Sequence, residues 1–536
     1  MLIRRDPVFP CLRASRGRCD LVASPFVSEG GLRPESALNG QKAGLGVLAA
    51  ACISSLVVNA NTSAVTILLP AIGEDVGAPV STLQWAVTGY SLVGAAFIVT
   101  SGALGDVFGR RRVFIGGLLL FVVSSVLIAF AESAGAVIAG RMIQGAAGST
   151  ILACGMSLLT VASSGNERLR AVSLWGAAAA IGAALGPLLG GVLVDTTGWQ
   201  GLFWISAAVG AACVPLTLRS VQESRDPTRS RSIDWLGTVL VAAILGPLIL
   251  GVSKGSEWGW TSGATISCFA ISVVATFAFI RVERRSTAPL VDLALMRNRV
   301  LIGSTLGILI GAGTINGLMF LTSLYFQDPA TLGMTPLEAG LATIPASAGM
   351  VILAPLVPKI ATRLGTRVAV LLGFVIMTAG FALLIAIDPS WAYAAFVLPM
   401  LAVAAGMALS NGPCSAAATS AVPEEQVGAA SGISNMARYV GAAVVVAIVA
   451  AVYGDVTSGQ TAAGAAAPDA LASGFAGAAL VLTIMSATGI GLGWLAGRHR
   501  PPAPIGIDFV AAAASSAHTL PTPHPASAER VTSRGD

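Results

Sequence analysis

The sequence predicts an all-α integral membrane protein, and three observations carry that prediction. Apolar runs of about 20 residues, long enough to cross a bilayer as helices, follow one another through most of the chain. Hydrophobic residues make up 55% of the 536 and charged residues only 11%, against about 25% in ordinary soluble domains. The bases crowd into alternate connections between the runs, as expected when cytoplasmic loops retain Lys and Arg.

Residues 1–43 are polar and carry Arg4, Arg5, Arg13, Arg16, Arg18, Arg33 and Lys42 without an apolar core. They read as a disordered cytoplasmic tail rather than a signal peptide. Fourteen apolar runs follow, at 44–68, 83–103, 113–131, 135–158, 171–193, 202–219, 235–253, 262–281, 300–324, 337–357, 367–386, 392–416, 430–453 and 474–496. Residues 498–536, rich in Pro, Ala and Ser, read as a second disordered cytoplasmic tail. With the N-terminus inside, the inner loops hold Arg110–Arg112, Arg168, Arg170, Arg219, Arg225, Arg229, Arg231, Arg281, Arg284, Arg285, Arg297, Arg299, Lys359, Arg363 and Arg367. The outer loops hold Glu74, Asp75, Glu132, Asp195, Glu257, Asp328, Asp388, Asp455 and Asp469, with Lys254 as their one base. An even number of spans returns Arg498 and Arg500 to the inside, so both termini are expected in the cytoplasm.

The same pattern explains the formal charge of +5, which therefore does not point to nucleic acid. The seven cysteines show no metal-ligand spacing, and five lie in apolar runs as small core residues. His499, His518 and His524 all fall in the C-terminal tail, so no histidine serves chemistry within the spans. No P-loop is present, no cofactor is implied, and no buried His, paired Asp or Ser/Lys arrangement suggests an intramembrane enzyme.

Four stretches carry the functional reading. Gly102-Ala103-Leu104-Gly105-Asp106-Val107-Phe108-Gly109-Arg110-Arg111-Arg112 closes a short basic turn between spans two and three. Lys359-Ile360-Ala361-Thr362-Arg363-Leu364-Gly365-Thr366-Arg367 repeats it in degraded form after span ten, suggesting two six-span halves, 44–219 and 300–497, around an inserted pair within 220–299. Span four holds Arg141 about 10 Å inside the apolar run, at roughly 1.5 Å per residue. Gln144 lies one turn further on. A charge there is costly and marks a candidate functional site unless it reaches back to the surface. Span five carries Gly182, Gly186 and Gly190 on one stripe, with Pro187 and Gly191 beside it. Small residues at that spacing let a neighbouring helix approach closely, and the proline removes a backbone hydrogen bond. Span one ends in Asn59-Ala60-Asn61-Thr62-Ser63-Ala64-Val65-Thr66. This polar streak either lines a cavity or bonds its own backbone.

These stretches resemble the major facilitator superfamily, and in particular its fourteen-span drug:proton antiporter branch. The basic turn resembles the superfamily's G-x-L-a-D-r-x-G-r-r-r signature. Arg141-Met142-Ile143-Gln144-Gly145 resembles the span-four motif linked to proton or substrate coupling. Gly182 through Gly191 is similar to the G-x-x-x-G-P-x-x-G-G string that marks exporters. Trp85-Ala86-Val87-Thr88-Gly89-Tyr90, Thr335-Pro336-Leu337-Glu338-Ala339-Gly340-Leu341 and Gly428-Ala429-Ala430-Ser431-Gly432-Ile433-Ser434-Asn435 match the openings of spans two, ten and thirteen, whereas Trp199-Gln200-Gly201-Leu202-Phe203-Trp204 departs from the usual W-R-W pattern.

The resemblance implies an exporter of small amphipathic substrates with protons as the exchanged ion. It gives Gly102, Asp106, Gly109, Arg110 and Arg111 a latch role, with Asp106 set against the helix beginning near Gly428. Aligned on Leu69-Pro70, however, the family's span-one aspartate falls on Asn61, which cannot titrate. A coupling proton must then sit on Glu338, Asp106 or the substrate; otherwise the protein is an uncoupled facilitator or a transport-dead sensor. Without a mid-span acid to neutralise a buried cation, neutral or anionic cargo is expected.

Overall fold

A computed structural model describes residues 34–163, 165–225, 233–286, 289–353, 356–423 and 426–496. The two tails, 1–33 and 497–536, lie outside them, as do Arg229 and Arg231. The N-terminal half comprises α1 (Pro34–Val76), α2 (Val80–Phe108), α3 (Arg110–Ala129), α4 (Ala134–Ala162), α5 (Gly165–Thr197) and α6 (Gln200–Ser220). Helices α7 (Trp235–Trp258) and α8 (Gly263–Glu283) follow. The C-terminal half comprises α9 (Arg299–Gln327), α10 (Pro336–Ala342), α11 (Ile344–Leu353), α12 (Val357–Leu364), α13 (Thr366–Ile385), α14 (Ala394–Ser420), α15 (Val427–Ala462) and α16 (Ala467–Ala496).

Thirteen of the fourteen expected spans are single helices long and apolar enough to cross a membrane. The tenth is the exception. Its apolar run is divided into α10 and α11, with Thr343 between them, and the basic stretch that follows forms α12. Pro345, the second residue of α11, lacks the N–H that would continue α10's ladder, and Pro358 opens α12 in the same way. The first span also runs further than its apolar stretch suggested, continuing through Pro70 to Val76.

Each half packs internally. In the first, α2 and α3 lie against α4, and α3 against α6. In the second, α9 is surrounded by α14, α15 and α16, and α13 packs on α14 and α16. The halves meet through α2 against α15 and through α5 against α10 and α11. Helices α7 and α8 pair with each other, and α7 rests on α2 and α15, with Val241, Leu245 and Ile249 buried against Leu92, Ala95 and Ala447. Helix α8 lies at the periphery: Ile266, Val274 and Phe277 are exposed, Phe277 by 70%, as suits a helix face turned to lipid rather than water.

The α2–α15 seam sets the shape of the interior. A Cβ on Gly432 would lie 3.7 Å from Val99 Cγ2, and one on Gly94 would lie 2.6 Å from the Tyr439 ring, so the helices are closely apposed from the level of Val99 to that of Gly94. Nearer the start of α2 they part. Gln84 of α2 and Tyr453 of α15 both line a cavity of about 610 Å³. Helices α2 and α15 are therefore closed on each other between Gly94 and Val99 and part toward the opposite end from Asp106.

Candidate functional site

Arg141 heads the largest fully buried side chains among the described residues, and Gln144 and Ser125 are buried with it. Its position depends on Gly145, where a Cβ would stand 2.2 Å from the Tyr90 carbonyl oxygen. Only glycine lets α4 lie that close to α2. The approach brings the Arg141 guanidinium carbon to 4.3 Å from the Tyr90 ring centre, a cation–π contact worth about 2 kcal/mol once both groups are desolvated. Arg141 Nη1 donates to Asn61 Oδ1 at 2.6 Å and to Gln144 Oε1 at 2.5 Å, and Nε donates to the Ala86 carbonyl at 3.2 Å. Gln144 Nε2 in turn donates to Ser125 Oγ at 2.8 Å, and Asn61 Nδ2 to Ser206 Oγ at 3.0 Å. One charged side chain thus ties α1, α2, α3, α4 and α6 together.

No carboxylate takes part. The charge is held by amide and carbonyl oxygens and by an aromatic face, and Nη2 has no hydrogen-bond partner among the described residues. Arg141 therefore does not reach back to the surface. A mid-span acid would satisfy the guanidinium as an ion pair; in its place Asn61 supplies one neutral acceptor and spends its donor on Ser206.

Of the polar streak on α1, Asn61 is the residue that accepts from Arg141. Asn59 Nδ2 donates to the Ser55 carbonyl, Thr62 Oγ1 to that of Val58, and Ser63 Oγ to that of Asn59. These residues bond their own helix, the second of the two alternatives that the sequence leaves open. Glu338 is not brought to Arg141 either. It is exposed and forms a capping box at the start of α10, accepting from the Thr335 N–H at 2.9 Å while its own N–H donates to Thr335 Oγ1. Its carboxylate is a helix cap, not a deep proton site.

The glycines of α5 serve two neighbours. Those at 182, 186 and 190 face α1: a Cβ would lie 2.2 Å from the Leu56 carbonyl oxygen at Gly182, 2.5 Å from that of Ala60 at Gly186 and 3.1 Å from that of Ala64 at Gly190. Gly191 and Pro187 face α10, where a Cβ on Gly191 would lie 2.5 Å from Leu337 Cα and one on Gly340 would lie 2.5 Å from the Pro187 carbonyl oxygen. Helix α5 continues through Pro187 and is the element by which one half touches the other on that side.

In the basic turn, Asp106 Oδ1 accepts from Arg110 Nε at 3.0 Å and pairs with its Nη2, both side chains being 16% exposed. Gly109 has φ +108°, a conformation L side chains rarely adopt, and a Cβ there would strike the Glu223 carboxylate. Glu223 accepts from the Arg111 N–H at 3.1 Å and lies 3.6 Å from Arg112 Nε, while Arg111 Nη2 donates to the Leu218 carbonyl at 2.6 Å. The turn is thus tied to the end of α6. Gly102 has open space where a side chain would go, so no close approach explains that glycine.

Sequence reasoning missed Tyr90, Ser125, Ser206 and Glu223, each an ordinary residue until the fold supplies its partner. It also read Gln200 only as a departure from pattern. Gln200 Nε2 donates to Asp75 Oδ2 at 3.1 Å, beside Trp199 Nε1 at 2.8 Å, so an amide does there what an arginine would do.

A chain of apolar helices that meet closely along the α2–α15 seam and part around a cavity toward one end, with a charged side chain buried among the first helices, is the build of an alternating-access membrane transporter. The protein belongs to the Major Facilitator Superfamily, whose sequence model matches residues 51–446. The multidrug resistance protein Stp of Mycobacterium tuberculosis is 35% identical over 384 residues, covering 71% of this chain and 70% of Stp. The cephamycin export protein CmcT of Amycolatopsis lactamdurans is 32% identical over 420 residues, covering 77% of this chain and 86% of CmcT. Among solved structures, an auto-inhibited POT family peptide transporter superposes with a TM-score of 0.61 at 16% identity, over 87% of this chain and 98% of that one. The nucleoside transporter NupG does so with a TM-score of 0.56, also at 16% identity, over 83% and 99%. These two likenesses concern the fold alone.

Proposed function

We propose that this protein is a multi-pass transporter of the bacterial cytoplasmic membrane, of the fourteen-span antiporter branch, that exports small amphipathic molecules by alternating access in exchange for protons. The observation that carries this reading is the α2–α15 seam, apposed between Gly94 and Val99 and parted around the 610 Å³ cavity. That volume is in the range of pockets for drug-sized ligands. The names of the relatives, a multidrug resistance protein and an antibiotic export protein, supply the class of cargo. The reading is of transport, with no enzymatic step assigned.

The distribution of bases puts the Asp106 end, and both termini, in the cytoplasm, so the hollow end faces outward. The closed seam is then the cytoplasmic gate. In this reading Asp106, held in place by Arg110, strengthens the gate by standing near the N-terminal end of α15, where a carboxylate gains from the helix dipole. The α5 stripe seats α5 closely on α1, so that α5 moves with its own half, while Gly191 and Pro187 hold it tight against α10 and keep that side from leaking as the halves rock. Arg141 fixes the N-terminal half as one rigid body. Because Asn61 cannot titrate, proton exchange falls to carboxylates elsewhere on the route, or to the cargo itself.

The test is export into inverted membrane vesicles with an imposed proton gradient, read with fluorescent amphipathic dyes. Accumulation that requires the gradient is the expected result. Accumulation indifferent to the gradient means an uncoupled facilitator. Dye binding without any accumulation means a sensor, and overturns the exporter reading.

A further inference from the structure

We propose that Asp234 and Glu283 hold one proton between them and form a proton-binding site where α7 begins and α8 ends. The site goes beyond the exporter reading and borrows from it only the side of the membrane. Asp234 caps α7, its Oδ1 accepting from the Gly237 N–H at 2.6 Å. Glu283 ends α8 and is 4% exposed, its Oε2 accepting from the Val291 N–H at 3.4 Å. Each carboxylate thus spends one oxygen on a backbone N–H. The other two oxygens, Asp234 Oδ2 and Glu283 Oε1, are both buried and have no hydrogen-bond partner among the described residues. They converge over Gly237, where a Cβ would stand 2.8 Å from Asp234 Oδ2 and 2.9 Å from Glu283 Oε1. Glycine leaves the room in which the two carboxyl groups face each other.

Two carboxylates in contact resist being charged together, and one shared proton relieves them. A single O–H between Oδ2 and Oε1 also gives both unmet oxygens a partner, where leaving either unmet costs free energy. No cation does that work. Arg281, Arg284 and Arg285 at the end of α8, and Asp292 and Arg297 in the connection to α9, make no ion pair with either carboxylate among the described residues. Of the helices packed on α7, α2 contributes Asp106 in this half, paired with Arg110, and α15 contributes Arg438, which donates to Ser415 Oγ. The site reaches the gate through one further contact. Thr238, one turn into α7, donates to the Asp234 carbonyl at 2.9 Å and so accepts from Thr100 of α2, 2.5 Å away. With the proton in place, α7 and α8 are zipped at this end and α7 is clasped to α2. Without it, two like charges share a buried space and drive the helix ends apart. Both groups lie at the Asp106 end, cytoplasmic in the topology proposed above, so the pair reads acidity on that side and carries no proton across.

The test is infrared difference spectroscopy on the purified full-length protein in neutral detergent at neutral pH, wild type minus Glu283→Gln. The amide still offers Asp234 Oδ2 an N–H, so the variant keeps the contact without the proton. The expected difference is the loss of one protonated-carboxyl C=O band. The wild type gives a reading that needs no variant: that band should shift in heavy water and give way to carboxylate bands as the pH is raised. Thermal melting is the second readout. The native pair holds a proton that the unfolded chain releases, so its contribution to stability falls as pH rises. The wild-type midpoint should drop from mildly acidic to alkaline buffer, and Glu283→Gln should lose that part of the drop. A wild type without a titrating acid band, or the same pH dependence of melting in both proteins, overturns the site; a water or a metal ion between two charged carboxylates would give that result. Neither readout involves transport. Failure of vesicle export therefore sinks the exporter reading alone, and failure of the infrared and melting readouts sinks the proton site alone.

Discussion

Gly182→Ala is the most direct probe of how α5 works. The added methyl would stand 2.2 Å from the Leu56 carbonyl oxygen and 3.0 Å from Leu56 Cα, where ordinary contact begins at 3.4 Å. All three of its nearest atoms belong to the Leu56 backbone, so no rotamer change relieves it. Helices α1 and α5 must separate, and overpacking of this kind costs about 1–3 kcal/mol. The separation also pulls on Asn61, five residues along α1, whose two bonds hold the Arg141 network to α6. Vesicle export should fall at least tenfold, and the midpoint of thermal unfolding in detergent should drop. Gly176→Ala is the control on the same helix, since a Cβ there has nothing within 4 Å. If Gly182→Ala exports and melts like Gly176→Ala, the close α1–α5 contact has no functional weight and the close-seating account of α5 is refuted.

Three further substitutions follow from the polar site and the turn. Arg141→Ala strands the Asn61 and Gln144 side-chain oxygens in a dry interior at about 1–3 kcal/mol each, so it should abolish export and lower the melting midpoint, with Arg141→Lys restoring only part of either; wild-type melting of the alanine variant would count against the network. Asn61→Asp replaces a neutral acceptor with an ionisable one 2.6 Å from Arg141 Nη1, and export should become more steeply dependent on pH than in the wild type; an unchanged pH profile would show that position 61 does not set coupling. Asp106→Asn leaves an amide where Arg110 found a carboxylate and should reduce export several-fold while membrane insertion stays normal; full export by this variant would remove Asp106 from the gate.

Much of the fold was legible because a bilayer imposes length and polarity on every span. The fourteen runs follow from that alone. The tenth escaped description as two helices because hydropathy averages over a window and does not weigh the backbone N–H group that Pro345 lacks. Arg141, Gln144 and the α5 stripe stood out because a charge in an apolar run and a four-residue glycine repeat are each costly unless used. Their partners did not stand out. Asn59 and Asn61 look equivalent in sequence, yet two positions along a helix turn a side chain to the far face, and only Asn61 points at α4. Tyr90, Ser125 and Ser206 are unremarkable residues on three other helices. Glu338 was read for its charge when the Thr335-Pro336-Leu337-Glu338 spacing already spelled a helix cap.

Alternating access requires the α2–α15 seam to open and close in each cycle. Position 432 of α15 faces Val99 of α2, with 3.7 Å from a Cβ on Gly432 to Val99 Cγ2, so cysteines at these two positions are neighbours across the seam and their oxidation tests whether it must part. The decisive measurement is vesicle export by Val99→Cys/Gly432→Cys in a background with the seven native cysteines replaced, before oxidation, after oxidation, and after reduction. The account predicts export that stops when the bridge forms and returns when it is reduced. Undiminished export with the bridge fully formed would contradict it, because the gate would then never need to part.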